Sequence, residues 1–168
     1  GCSLGGFLAY LVAASGSPVA GVIATTLADP RLPAVQAQFA RFRWLGTVAA
    51  RTLPVLDAVA GGLRVPIKWV SNMAAIANDP QLAALLLQDR CGGGNQVPIR
   101  FMRSLFDATP AVEPEQFDRC PVLLAHPAAD RWTTIEVSRL FFDRLAGDDV
   151  ALAPRRTHDG RWKRPLVR

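Results

Sequence analysis

Two short apolar runs limit what this chain can fold into. VAGVIATT (residues 19–26) and CPVLLAH (residues 120–126) lack the alternation of a strand with one wet face. Each is bounded by turn formers: Pro18 and Ala28-Asp29-Pro30 around the first, Pro127-Ala128-Ala129-Asp130 after the second. Runs of this length and make-up read as strands buried on both faces, as in a parallel sheet. Parallel neighbours cannot be joined by a tight turn and need a crossover of a dozen or more residues. Before the first run, FLAYLVAAS is apolar nearly all round and stops at Ser15-Gly16-Ser17-Pro18, the pattern of a buried helix. After the second, TTIEVSRLFFDRLAG places Ile135, Val137, Leu140, Phe141 and Leu145 near helical spacing, with Gly147 as a stop. DDVALAP offers one further strand, weakened by Pro154. The class expected is α/β, a parallel sheet with helices.

Between the two runs the chain changes character. Residues 30–115 carry helical apolar spacing broken by Pro33, Pro54, Gly61-Gly62, Pro66, Pro80 and Gly92-Gly93-Gly94. This predicts three to five short helices and no strand. Such an insert exceeds what a crossover needs, so it reads as a cap over the sheet, with an ordinary helical subdomain that gates nothing as the alternative. The glycine triplet lacks the Lys-Ser/Thr of a phosphate loop and reads as a flexible turn. No internal repeat is found.

Composition excludes several classes. At 168 residues, 50% hydrophobic and 20% charged, the chain is one globular domain's worth. No apolar run reaches the roughly 20 residues of a membrane span, and the opening lacks the basic leader of a signal peptide. The cysteines Cys2, Cys91 and Cys120 form no C-x-x-C pair, so neither zinc nor redox chemistry is implied, and free thiols in the cytoplasm are expected. The net charge of +5 resides in residues 154–168, which hold six Lys/Arg against Asp159 alone; the rest of the chain balances. That tail, with Trp162, is read as an irregular solvated end rather than a nucleic-acid site.

The chain opens GCSLGG, which fits G-x-S-x-G with Ser3 at the centre. In a serine hydrolase a base takes the hydroxyl proton and a carboxylate orients the base. Ser3 opens a helix, Asp130 follows the second run, and His158 follows DDVALAP. That is the order Ser, acid, His, each at a strand's C-terminal end. Of the two histidines, His126 lies at a strand end and is read as structural, leaving His158 as the base. Asp29 and Asp57 are read as cap and surface acids. Trp44, Trp69, Phe101, Met102 and Phe106 are read as core, with an acyl pocket as the other reading.

GCSLGG, the strand PVAGVIATTLADP leading into a helical insert, and CPVLLAHPAADRWTTIEVSRLFFDRLAG together resemble an α/β hydrolase of the lid-bearing lysophospholipase, monoglyceride-lipase and serine-aminopeptidase type. The resemblance covers roughly residues 1–150 and implies a partial α/β-hydrolase fold. The core would lie in 1–29 and 116–153, the lid in 30–115 and the tail in 154–168. It implies Ser3 as nucleophile, Asp130 as acid, His158 as base and the Leu4 backbone N–H as one oxyanion donor. A carboxylic ester of an apolar acyl group is the implied substrate, with no cofactor and no metal. Pro127 stands where the family commonly has Gly, and His158 has basic rather than Gly-rich neighbours. The loop that supplies the family's second oxyanion donor is not among these residues. The chain is thus expected to be the C-terminal part of such an enzyme and a poor catalyst by itself; the alternative is an inactive hydrolase fragment or binding remnant.

Overall fold

Both buried-strand runs form strands, and they pair with each other in parallel. The computed structural model describes residues 1–146, 150–152 and 166–167. In chain order it contains helix α1 (Leu4–Ala14), strand β1 (Val22–Ala24), helices α2 (Pro33–Phe39) and α3 (Arg43–Ala60) and strand β2 (Arg64–Pro66). Helices α4 (Ile67–Val70) and α5 (Pro80–Gln88), strand β3 (Gln96–Pro98) and helix α6 (Ile99–Phe106) follow. Strand β4 (Val122–Leu124), helix α7 (Ile135–Phe142) and strands β5 (Val150–Leu152) and β6 (Leu166–Val167) complete the order. The chain divides into two units: Gly1–Asp29, Thr109–Ala129 and Thr133–Arg168 in the first, Pro30–Ala108 and Asp130–Trp132 in the second.

The first unit is built on a sheet of order β1-β4-β5-β6. Strands β1, β4 and β5 are parallel, with Val22 opposite Val122 opposite Val150 and Ala24 opposite Leu124 opposite Leu152. Gly1 extends the ladder: its N–H donates to the Ile23 carbonyl at 2.6 Å, and its carbonyl accepts from Thr25 N–H at 3.1 Å. β6 runs antiparallel to β5, a pairing the expected irregular tail did not include.

Helix α1 packs against β1, and α7 packs against α1 through aromatic rings. Tyr10 stands edge-on to Phe141 with ring centres 4.7 Å apart and lies 4.8 Å from Phe117, while Phe7 meets Phe141 at 5.7 Å. Aromatic pairs of this geometry add about 0.5–1.5 kcal/mol each beyond area burial. The Tyr10 hydroxyl reaches the Val112 carbonyl at 2.7 Å, so its polar end is satisfied within the core. The buried Ser138 hydroxyl accepts from Leu27 N–H at 3.2 Å.

Three expectations for this unit are corrected. β1 is not buried on both faces: Val22 and Ala24 are buried, but Ile23 between them is 62% exposed, the alternation of a strand with one face covered among the described residues. Nor is α1 buried all round, since Leu8 and Val12 are exposed. Asp29 is not a surface acid but is 1% exposed. It lies 3.9 Å from the Arg144 guanidinium, which also grips Glu115 at 2.5 and 3.2 Å and Glu113 at 3.5 Å. The Glu115 hydrogen bond, aided by the charges of Glu115, Glu113 and Asp29, raises the Arg144 pKa against the opposing cost of burial.

The second unit holds helices α2 to α6 and, contrary to the expectation of no strand, an antiparallel pair, β2 with β3. Val65 lies opposite Val97, and each Pro pairs across from the residue that opens the other strand. A residue before proline is pushed into extended backbone, which shapes both Val-Pro steps. Three residues are too few to display a period of two. The two segments share Val-Pro-Ile followed by a basic residue and an aromatic, VPIKWV and VPIRFM. The structure relates them by a local twofold: Ile67 N–H donates to Asn95 O and Ile99 N–H to Leu63 O, both at 3.0 Å. Nor does Pro54 end a helix, since it lies inside α3. The glycine triplet is tied rather than loose: Gly92 and Gly94 N–H both close on Asp89 O and Gly93 N–H on Leu86 O. Trp44, Trp69 and Phe101 are exposed rather than core. Asp57 pairs with Arg103 at 3.2 Å.

Candidate active site

A serine that merely caps a helix has extended backbone and lends its oxygen to the N–H groups of the first turn. Ser3 does neither. It precedes α1 with φ 52° and ψ −129°, and its side chain makes no capping bond. It is the one non-glycine residue with positive φ among those described. Holding an L-residue there costs on the order of 1–3 kcal/mol and persists where the surroundings enforce it. The enforcement is visible. Gly1 is paired to β1 on one side of the turn. The Ser3 N–H donates to the Thr25 hydroxyl at 3.0 Å. The Ser3 hydroxyl is thus left exposed at the end of a parallel strand pairing, on a sharp step into a helix.

The glycines around Ser3 do different jobs. A Cβ on Gly1 would overlap the Gly5 carbonyl, and one on Gly6 would overlap the Thr26 carbonyl and lie 2.9 Å from the Ala24 Cβ. Gly5, the last glycine of the motif, has nothing within 4 Å of a Cβ. The turn itself therefore needs Gly1, and the approach of α1 to β1 needs Gly6, which lies outside the motif. Sequence reasoning missed Gly6; the doubled glycine was the available signal. Gly5 and Gly6 N–H close back on Cys2 O and Ser3 O, each at 2.9 Å. Among the described residues the Leu4 N–H has no acceptor, and it stands at the positive end of an 11-residue helix.

Asp130 lies beyond the C-terminal end of β4, half-buried. Its Oδ1 accepts from Trp132 N–H at 2.9 Å, a local turn that fixes the carboxylate against its own loop. His126 Nδ1 lies 3.0 Å from Pro127 O, while its Nε2 is buried with no partner among the described residues. His158 lies outside the described residues, as do Trp162 and all of the tail except β6. Ser3 belongs to the first unit and Asp130 to the second. Among the described residues no group of three or more His, Cys, Asp and Glu is placed to hold a metal ion. No described helix is long and apolar enough to cross a membrane.

A family model described as "Serine aminopeptidase, S33" matches residues 1–158. The chain belongs to that family. The matched span of this α/β hydrolase takes in Ser3, Asp130 and His158. Its structure is similar to the crystal structure of Paleococcus ferrophilus monoacylglycerol lipase, with a TM-score of 0.63 at 22% identity over 90% of this chain and 55% of that one. The chain thus spans about half the length of that lipase. No curated protein matches the chain by sequence.

Proposed function

We propose that this α/β hydrolase cleaves carboxylic esters of apolar acyl groups through an acyl-enzyme formed on Ser3. The observation that carries this reading is the backbone of Ser3: positive φ, a hydroxyl that makes no capping bond and a helix beginning at the next residue. That is the geometry a nucleophile needs to stand clear of its own chain.

In the proposed reaction the Ser3 Oγ attacks the ester carbonyl while His158 takes its proton. Asp130 holds the imidazole in one tautomer and stabilises its charged form. The oxyanion that develops is met by the Leu4 N–H, where the dipole of α1 favours negative charge. Collapse breaks the bond to the alkoxy oxygen, which leaves as the alcohol with the proton from His158. Water, deprotonated by the same base, then releases the acid and restores Ser3. In this reading residues 30–115 serve as the lid that keeps water from the acyl group. The monoacylglycerol lipase likeness supports an apolar acyl chain. The family match through residue 158 supports His158 as part of the domain rather than of an unrelated tail.

The test is turnover of p-nitrophenyl esters of graded acyl length by the chain and by its Ser3→Ala variant. Slow turnover is expected, rising with apolar chain length and lost to background in the variant, since removing a triad member typically costs about 10³-fold or more. Equal hydrolysis by both proteins, together with no fluorophosphonate adduct on Ser3, would reject Ser3 as nucleophile.

A further inference from the structure

Asp130–Trp132 follows a strand of the first unit, yet this short stretch groups with the second. Its tether is specific. Gln38 Nε2, at the end of α2, donates to the Trp132 carbonyl at 2.7 Å across 94 positions of sequence. The neighbouring Phe39 ring meets the Trp132 ring edge-on, with centroids 6.0 Å apart. The Trp132 N–H in turn donates to Asp130 Oδ1 at 2.9 Å. The Trp132 backbone is therefore held at its carbonyl by Gln38 and at its N–H by the carboxylate itself. A carbonyl only accepts, so the amide nitrogen of Gln38 must face it.

The platform behind Gln38 has little freedom. Gln36 Nε2 donates to Pro30 O at 2.9 Å, which ties α2 back to the segment entering it. Gly46 of α3 comes so close that a Cβ there would lie 2.5 Å from the Gln36 carbonyl. A shift of α2 would thus disturb α3 as well.

We propose that Gln38 is a positioning residue for Asp130, acting through Trp132, and that α2 thereby sets the geometry of the triad's acid. The proposal rests on the assignment of Asp130 as that acid. The physical need is plain: an orienting carboxylate must hold its imidazole within a fraction of an ångström, and errors near 1 Å cost about 10²-fold. A loop anchored at Trp132 to a helix end meets that need better than one left to its own turn.

The test compares ester turnover by the wild-type chain, Gln38→Met, Gln38→Lys, Asp130→Asn and the Gln38→Met/Asp130→Asn pair, each across pH. Gln38→Met keeps the length and removes the donor. It is expected to lower kcat about 3–10-fold, the worth of one neutral hydrogen bond, with KM nearly unchanged. An imidazolium that loses part of its carboxylate partner is easier to deprotonate, so the acid limb of the kcat/KM profile shifts to lower pH. Gln38→Lys, which restores a donor of similar reach, brings both readings back toward wild type. In the Asp130→Asn background Gln38→Met adds nothing further. A Gln38→Met protein that melts earlier yet keeps wild-type kcat and acid limb would overturn the proposal, as would full additivity in the pair. If Gln38→Met does not fold, Phe39→Leu is read instead, with the same direction expected at smaller size. Wild-type turnover in Asp130→Asn would instead refute the acid assignment itself, a different failure.

Discussion

The two units of this chain use apolar residues in opposite ways. In the sheet unit the large side chains Phe7, Tyr10, Phe117 and Phe141 are all at most 2% exposed. In the helical unit α3 displays Trp44, Val48, Val55 and Val59 at 64, 46, 67 and 78% exposure, along one helical stripe. Charge divides the same way. The helical unit holds ten Lys/Arg against five Asp/Glu, whereas the sheet unit up to residue 153 holds three against eight. The balance seen when residues 1–153 are counted together therefore conceals two opposite surpluses. One unit thus buries its large apolar side chains in its own core, and the other keeps much of its apolar area exposed.

Removing one ring from each unit tests this contrast with the largest expected effect. Phe141→Ala deletes a core aromatic that touches both Phe7 and Tyr10, and is expected to cost about 3–5 kcal/mol in urea unfolding. Trp44→Ala, on the exposed stripe, is expected to stay within about 0.5 kcal/mol. Comparable losses would mean that the stripe is structural after all.

A smaller effect sharpens the comparison at the elbow. Gly6→Ala forces a Cβ against the Thr26 carbonyl and is expected to destabilise by about 1–3 kcal/mol. Gly5→Ala meets nothing and should be neutral or stabilise by up to about 1 kcal/mol, since Ala is the better helix former. Gly46→Ala places the same question in the helical unit, where the Gln36 carbonyl is the obstacle; a loss like that of Gly6 is expected. Thermal melts of the three variants decide the ranking.

The smallest effect concerns thiols. Burial raises the Cys120 pKa, so at pH 8 its thiolate fraction is below that of an ordinary thiol. Cys2 and Cys91 are exposed. Iodoacetamide should modify Cys120 last, and its rate should keep climbing at a pH where an unburied thiol has levelled off. Mass spectrometry of timed samples would show a reversed order if Cys120 were accessible and unshifted.

Local signals carried well from sequence to structure. The strand pattern at β1 and β4, the stop after α1 and the helical spacing of α7 are each settled within a few residues of chain, and all three appear. Non-local facts did not carry. The exposure of Ile23 depends on which face of β1 is covered, and the burial of Asp29 depends on Arg144, far along the chain. The hold of Gln38 on Trp132 spans 94 positions, beyond any periodicity. The Val-Pro strands were hidden for another reason: three residues with a proline in each resemble a break, and the shared Val-Pro-Ile that betrays them is visible once the two segments are aligned. At the site, G-x-S-x-G foretold the turn at Ser3 but not which glycines it uses.

The most direct test of the central claim is covalent. A fluorophosphonate is attacked by an activated serine oxygen, fluoride leaves, and a stable phosphonyl-serine marks the nucleophile. The account predicts a single adduct, mapped by mass spectrometry to Ser3. It should be lost in Ser3→Ala and slowed when a p-nitrophenyl acyl ester is present during labelling. An adduct on another residue, or equal labelling of the Ser3→Ala protein, would contradict it.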